Sequence, residues 1–114
     1  TIHANSAREA LQRLEILLSF GGFRANELSM RRQIASAVDI IVQIGRLADG
    51  RRRVLSISEV TGMGDAMIAL QEHFRFELQE GPEPVERWIT TSVAPRNPKL
   101  AKYRPTASEG DFTW

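Results

Sequence analysis

Hydrophobic positions near the start of the chain recur at helical spacing. They stand three or four positions apart with polar residues between them, as in a helix with one buried side. The stripe consists of Ala7, Leu11, Leu14, Leu17 and Leu18. Asn5 and Ser6 precede it, and Glu9 follows Ser6 at the spacing of a capping box. Because Gly21 and Gly22 then interrupt the pattern, we predict a first helix that ends there.

A second helical pattern runs from about Asn26 to Ala37. Its apolar positions predict a buried side formed by Met30, Ile34, Ala37 and Val38. Arg31 and Arg32 are adjacent and fall on the polar side of the same helix.

After Asp39 the pattern changes from helical spacing to strands. The run 40–42 is β-branched throughout, and Asp49-Gly50 is a strong hairpin turn pair. The return strand is predicted over 52–60, with Leu55 and Ile57 on one face and Ser56 and Ser58 on the other.

Two further strands are predicted after a second turn at 61–65. One is the short run 67–70, and the other is 74–78, where Phe74, Phe76 and Leu78 alternate with charged residues. The fold class is therefore α+β: two helices followed by an antiparallel meander of about four strands, with a short C-terminal extension.

Proline divides the chain near residue 80. All five prolines lie after that point, and proline donates to neither a helix nor a sheet ladder. We interpret residues 1–80 as the packed body, 81–103 as an appended strand and short helix, and 104–114 as a flexible tail. Since the chain begins without a methionine, we expect Thr1 to be an internal position of a longer protein.

Composition excludes several classes of function. The 114 residues carry a net charge of +1, and the arginines are not interleaved with aromatic residues, which argues against nucleic-acid binding. The absence of cysteine excludes disulfides, thiol catalysis and cysteine-ligated zinc. No apolar run approaches the roughly 20 residues that cross a bilayer, so we expect no membrane insertion and a cytoplasmic location.

The sequence contains neither a phosphate-binding loop nor a nucleophile-elbow pattern, while the residue types of a Ser-His-acid triad are present. Residues 1–80 contain no lysine, and neither Lys99 nor Lys102 follows the glycine-rich loop that cradles phosphates. His3 and His73 are far apart in sequence, with no carboxylate pair at ligand spacing beside either, so no metal site is predicted.

His3 precedes the capped start of the first helix. Helix starts favour phosphate and carboxylate groups, so an imidazole there is placed to contact a nucleotide or a catalytic water. The alternative is that His3 is an ordinary linker residue.

Arg51, Arg52 and Arg53 lie beside the predicted hairpin turn. They form either a solvated turn, a nucleic-acid contact or an intersubunit group that senses phosphate. Glu59 is predicted to share the face of Leu55 and Ile57, and it is interpreted as lying at the sheet edge or pairing with an arginine such as Arg46.

Three segments together resemble a known family. Residues 1–15 (TIHANSAREALQRLE) are similar to the His box and following helix of the type II/type IV secretion ATPase superfamily. The other two segments, 32–43 (RQIASAVDIIVQ) and 46–63 (RLADGRRRVLSISEVTGM), most closely resemble its Flp/Tad pilus-assembly branch.

The resemblance implies a fold, an activity and partners. The chain would be the C-terminal part of a RecA-like α/β P-loop domain in a homo-hexamer that hydrolyses ATP to power pilus assembly or secretion. It would lie in the cytoplasm against the bacterial inner membrane and contact the platform proteins there. ATP and Mg²⁺ would be bound mainly upstream of Thr1, so the chain alone is predicted to be inactive.

Among the residues present, His3 matches the box histidine near the nucleotide phosphates. Arg52 and Arg53 match a basic pair of the family, and the resemblance implies that this pair contacts a neighbouring subunit. The alternatives are a fragment of a conjugation-type secretion ATPase, or a non-catalytic docking or assembly module.

Overall fold

Two helices form where the hydrophobic pattern predicts them. The structure, a computed structural model, describes residues 1–22 and 26–101, with only the backbone of Ala101. Helix α1 spans Ala7–Phe20, and the side chain of Ser6 accepts a hydrogen bond from the amide of Glu9, as predicted. Helix α2 spans Glu27–Ala37 and is capped by Asn26.

The buried sides of the helices are narrower than predicted. Leu11, Met30 and Ile34 are buried, but Leu17 is 55% exposed and Ala37 is also exposed. Leu17 lies about 100° around the helix from Leu18, at the border of the stripe, so the predicted inward position is wrong for it.

Four antiparallel strands follow the helices. They are β1 (Ile40–Arg46), β2 (Arg52–Gly64), β3 (Met67–Gln79) and β4 (Val85–Thr90), and they lie in the sheet in the order β1-β2-β3-β4. A short helix, α3 (Pro98–Ala101), comes last. The α+β class and the antiparallel meander are confirmed, while 104–114 lies outside the described residues. No helix among the described residues is long and apolar enough to cross a membrane.

The predicted second turn is wrong. Strand β2 continues to Gly64, and the chain reverses at Asp65 and Ala66, which both have positive φ. Gly62 lies at a register shift with φ 130°, so it serves a bulge within the strand rather than a turn. The runs 67–70 and 74–78 are consequently parts of one long strand, β3.

One face of the sheet is covered by the two helices. Its core consists of Leu11, Ile34, Val60 and Ile68. Ile41 of β1 packs against this core, so alternate residues of β1 (Ile40, Val42 and Ile44) lie on the opposite face. We call the two sides the helix face and the open face.

A bulge in β2 changes the predicted alternation. The register shifts between Gln43 and Ile44 of β1, where Leu55 is the extra residue of β2. The side chain of Leu55 lies over Gly45 on the helix face, whereas Ile57 pairs with Val42 on the open face. The prediction that Leu55 and Ile57 share a face is therefore wrong.

Candidate functional site

Residues 1–6, which we call the lead-in, hold the predicted His3. The main-chain carbonyl of His3 accepts a hydrogen bond from Arg13 Nη1 at 2.5 Å, and that of Ala4 accepts one from Gln43 Nε2 at 2.8 Å. Helix α1 and strand β1 thus fix the main chain on this side of the molecule. The imidazole of His3 is exposed, which leaves it accessible to a ligand.

His3 contacts helix α1 through its main chain. Its carbonyl lies beside Arg13, the seventh residue of the helix, while the helix start already has a cap from Ser6 to Glu9 at 3.1 Å. The cap occupies the Glu9 amide, and the expectation that His3 contacts a nucleotide or a catalytic water stays a prediction. The cation nearest the His3 main chain is the guanidinium of Arg13.

Arg52 and Arg53 lie on opposite faces of the sheet. Arg53 pairs with Gly45, which shares the helix face with Gln43, and Arg52 pairs with Arg46 on the open face. Gln43 also holds the lead-in, so Arg53 is on the same face of the sheet as the His3 main chain. Gly45, the residue paired with Arg53, is two positions after Gln43 in β1. The two arginines cannot act as one basic pair on a single ligand.

Arg53 has an unused donor. Its Nε is buried and has no hydrogen-bond partner among the described residues, and its Nη1 makes only a 3.3 Å bond to the carbonyl of Arg52. A buried donor without an acceptor costs about 1–3 kcal/mol. A guanidinium presents its donors in a planar fork that fits a phosphate or carboxylate. Because the Nε is buried in this conformation, an anion from another molecule would satisfy it only after the side chain turns outward.

Arg51 is occupied within the chain. Its Nε lies 2.6 Å from Asp49 Oδ2, and its Nη2 contacts Glu86 of β4. The Arg51 backbone amide, and after it the guanidinium, lowers the pKa of Asp49. Of the three consecutive arginines, Arg51 therefore stabilises the hairpin, Arg52 is exposed, and Arg53 retains a free donor.

Sequence reasoning missed a polar cluster on the open face. Glu59, only 1% exposed in the middle of β2, accepts hydrogen bonds from His73 Nε2 at 2.7 Å and from the backbone amides of Arg96 and Asn97 at 2.7–3.1 Å. Asn97 Nδ2 and Lys99 Nζ also bind the carboxylate of Asp39, which precedes β1. We call these six residues the Glu59 cluster.

The interpretation of Glu59 as an edge residue or a partner of Arg46 is wrong. Glu59 lies opposite Ile40, whereas Arg46 lies at the other end of β1, roughly 20 Å away at the usual rise per residue. Burial raises the pKa of Glu59, but the hydrogen bonds from His73 and then from the two amides outweigh it and hold the pKa below its ordinary value of 4.5.

The chemistry of this cluster is that of a clamp on the chain. His73 Nδ1 lies 3.1 Å from the carbonyl of Val93, and its Nε2 contacts the Glu59 carboxylate. The carboxylate of Glu59 and the carbonyl of Val93 both accept hydrogen bonds, and each ring nitrogen of His73 lies beside one of them, so the ring is engaged on both sides. The cluster therefore holds residues 93–99 against the sheet. A lone carboxylate within a predicted strand was the available signal.

No metal site is formed by the described residues. They contain no group of three histidine or acidic side chains that could hold an ion. Comparison of the chain with protein-family models and with curated proteins found no match to either.

Proposed function

We propose that this chain is the C-terminal portion of a hexameric ATPase that powers Flp/Tad pilus assembly or type II/type IV secretion. The proposal rests first on the similarity of residues 1–15, 32–43 and 46–63 to that superfamily. In it, the described residues belong to the end of a RecA-like P-loop domain, whose nucleotide-binding loop lies upstream. The full protein would work at the cytoplasmic side of the inner membrane with its platform proteins.

The observation that carries the proposal is the free donor of Arg53. It lies on the helix face, on which Gln43 also holds the main chain of the lead-in. The Nε of this guanidinium has no acceptor among the described residues, and it lies beside a segment that carries an exposed imidazole. Once the side chain turns outward, such a group suits an anion brought by a neighbouring subunit or its nucleotide. The guanidinium of Arg53 and the imidazole of His3 can each stabilise the negative charge that develops on a phosphate during its transfer.

The residues present fit part of an ATP site. Arg53 and His3 supply donors for phosphate oxygens, which is the contribution this chain makes to the reaction. Magnesium prefers carboxylate and phosphate oxygens, and the described residues offer no cluster of that kind. In the proposal, Mg²⁺ and the triphosphate are therefore held mainly by residues outside this chain.

The test compares two adjacent arginines in the full protein. We expect Arg53→Ala and His3→Ala each to lower ATP turnover about 100-fold, the size of loss seen when one charge-stabilising donor is removed. Arg52→Ala is the matched control, because Arg52 is exposed on the other face, and it should retain turnover within about twofold. Hexamer formation is measured by sedimentation for every variant.

Two results would contradict the proposal. One is turnover by the 114-residue chain alone that His3→Ala abolishes, because the catalytic parts would then lie within it. The other is an equal loss for Arg52→Ala and Arg53→Ala, since the proposal gives the anion to Arg53 alone.

A further inference from the structure

Strand β1 forms one edge of the sheet and has an unpaired side. It pairs with β2, and its other side has no backbone hydrogen-bond partner among residues 1–22 and 26–101. Proteins usually protect such an edge with proline, lysine, an inward-pointing charge or a very short strand. Residues 40–45 contain no charge and no proline, so β1 offers an unprotected template for another strand.

An aliphatic stripe runs along the open face of this edge. Ile40, Val42 and Ile44 are 37%, 50% and 59% exposed, although β-branched residues are normally buried in sheets. Their exposure increases along the strand away from the Glu59 cluster, so the stripe is most open near the hairpin.

Two like charges end the stripe. Arg46 and Arg52 are directly opposite each other on the open face, both are exposed, and neither forms an ion pair with a carboxylate of the described residues. Like charges in facing positions of two strands are destabilising. An external carboxylate would relieve this repulsion, which gives the edge a preferred charge for its partner.

We propose that β1 binds an extended segment of a partner protein as an additional antiparallel strand. The segment has an aliphatic residue at every second position, opposite Ile40, Val42 and Ile44, and a carboxylate opposite Arg46. Main-chain hydrogen bonds supply the binding, and the alternating side chains supply the specificity, as in other cases of strand addition. We expect the segment to run antiparallel to β1, because antiparallel strand pairs are commoner than parallel ones.

The other edge and a second copy of the chain suit these observations less well. Strand β4 has six residues, carries Glu86 and Arg87, and follows Pro84, so it is protected in the usual way. Antiparallel pairing of two β1 strands about Gln43 would place Arg46 opposite Ile40 of the second copy. The nearest carboxylate there, Asp39, is already bound by Lys99.

The probe is the capped peptide Glu-Thr-Val-Thr-Val-Thr-Val, which matches the seven residues of β1 in antiparallel register. Its binding to the 114-residue chain is followed by amide chemical shifts in NMR. We expect the largest shifts within 40–46, and a peptide with Lys in place of Glu should bind about 10-fold more weakly. Charge reversal at both Arg46→Glu and Arg52→Glu should invert that preference, whereas Arg87→Glu on β4 is the control and should leave it unchanged.

A third variant separates the apolar contribution from the charges. Ile44→Thr keeps a β-branched side chain and removes apolar surface, so it should weaken both peptides equally. The same spectra show whether each variant is folded.

Three outcomes would overturn the proposal. Shifts spread outside β1, or peptide preferences that ignore the charge reversal, would remove strand addition at this edge. Self-association that protects the β1 amides from exchange would make a second copy the occupant. Protection of those amides that is lost when 102–114 is deleted would make the chain's own C-terminal segment the occupant.

Discussion

The two faces of this sheet are held by different kinds of interaction. On the helix face, the side chains of Leu11, Ile34, Val60 and Ile68 are at most 7% exposed and form an apolar core. On the open face, the most buried side chain is the carboxylate of Glu59. The first face is stabilised by removing apolar area from water, and the second by hydrogen bonds of fixed direction.

This difference decides how each face responds to change. Apolar contacts lose stability in proportion to the volume removed and are indifferent to pH. The Glu59 cluster loses its contacts when one charge is neutralised, even though the shape of the side chain is unchanged. The same domain should therefore show one pH-independent and one acid-sensitive contribution to its free energy of unfolding.

The largest effect is expected on the helix face. Leu11→Ala leaves a cavity among Ile34, Val60 and Ile68 and should lower the free energy of unfolding in urea by about 3 kcal/mol. Leu17→Ala is the matched control, because it makes the same chemical change in the same helix at a side chain that is 55% exposed. Equal losses for the two variants would show that the helix face is not the main core.

Removal of the charge on the open face should cost less. Glu59→Gln keeps the size of the side chain but weakens its hydrogen bonds to His73 and to two backbone amides. The free energy of unfolding should fall by about 2 kcal/mol. We expect hydrogen exchange at the amides of Arg96 and Asn97 to become faster, while the amides of α2 exchange as before. Glu77→Gln, at an exposed position of β3, is the control, and unchanged protection of both amides would refute the clamp.

Acid should separate the two faces in a single protein. Because the pKa of Glu59 is lower in the folded state, its contribution is complete above the ordinary value of 4.5 and is lost as pH falls through the lower folded value. Urea unfolding from about pH 6.5 down to about pH 3 should show a steep loss for the natural chain and a shallower one for Glu59→Gln. Parallel curves for these two proteins would contradict the assignment, whereas Leu11→Ala should run parallel to the natural chain.

The helix face could be predicted from the sequence because its signals are local. The spacing of Leu11 and Leu14, the Ser6 cap and the Asp49-Gly50 turn each act within a few residues, and the structure confirms all of them. The turn at 61–65 failed because glycine serves bulges as well as turns. The chain reverses instead at Asp65 and Ala66, which both have positive φ. The pair Asp-Ala is not a strong sequence signal for such a turn.

The Glu59 cluster could not be predicted because its partners are distant in sequence. Glu59 of β2 contacts His73 of the neighbouring strand β3, and it accepts a hydrogen bond from the backbone amide of Arg96. A contact with a backbone amide leaves no pattern in the side chains of the sequence. The position of Arg53 also could not be predicted, because the register of β1 and β2 decides that Arg53 lies on the helix face and Arg52 on the open face. The functions proposed for Arg53 and His3 rest on a resemblance and on geometry together, and they stay predictions.

The smallest effect is expected at the exposed rim of the Glu59 cluster. Lys99 is 75% exposed and lies 3.1 Å from Asp39, whose pKa is lowered first by the hydrogen bond from Lys99 and then by that from Asn97. Exposed ion pairs contribute little, because water and salt screen them and a long side chain loses freedom in forming them. We expect Lys99→Gln to move the urea midpoint less than any variant above, and the small shift to vanish in high salt. A shift as large as that of Glu59→Gln would mean that the open face is held at its rim and not by the buried carboxylate.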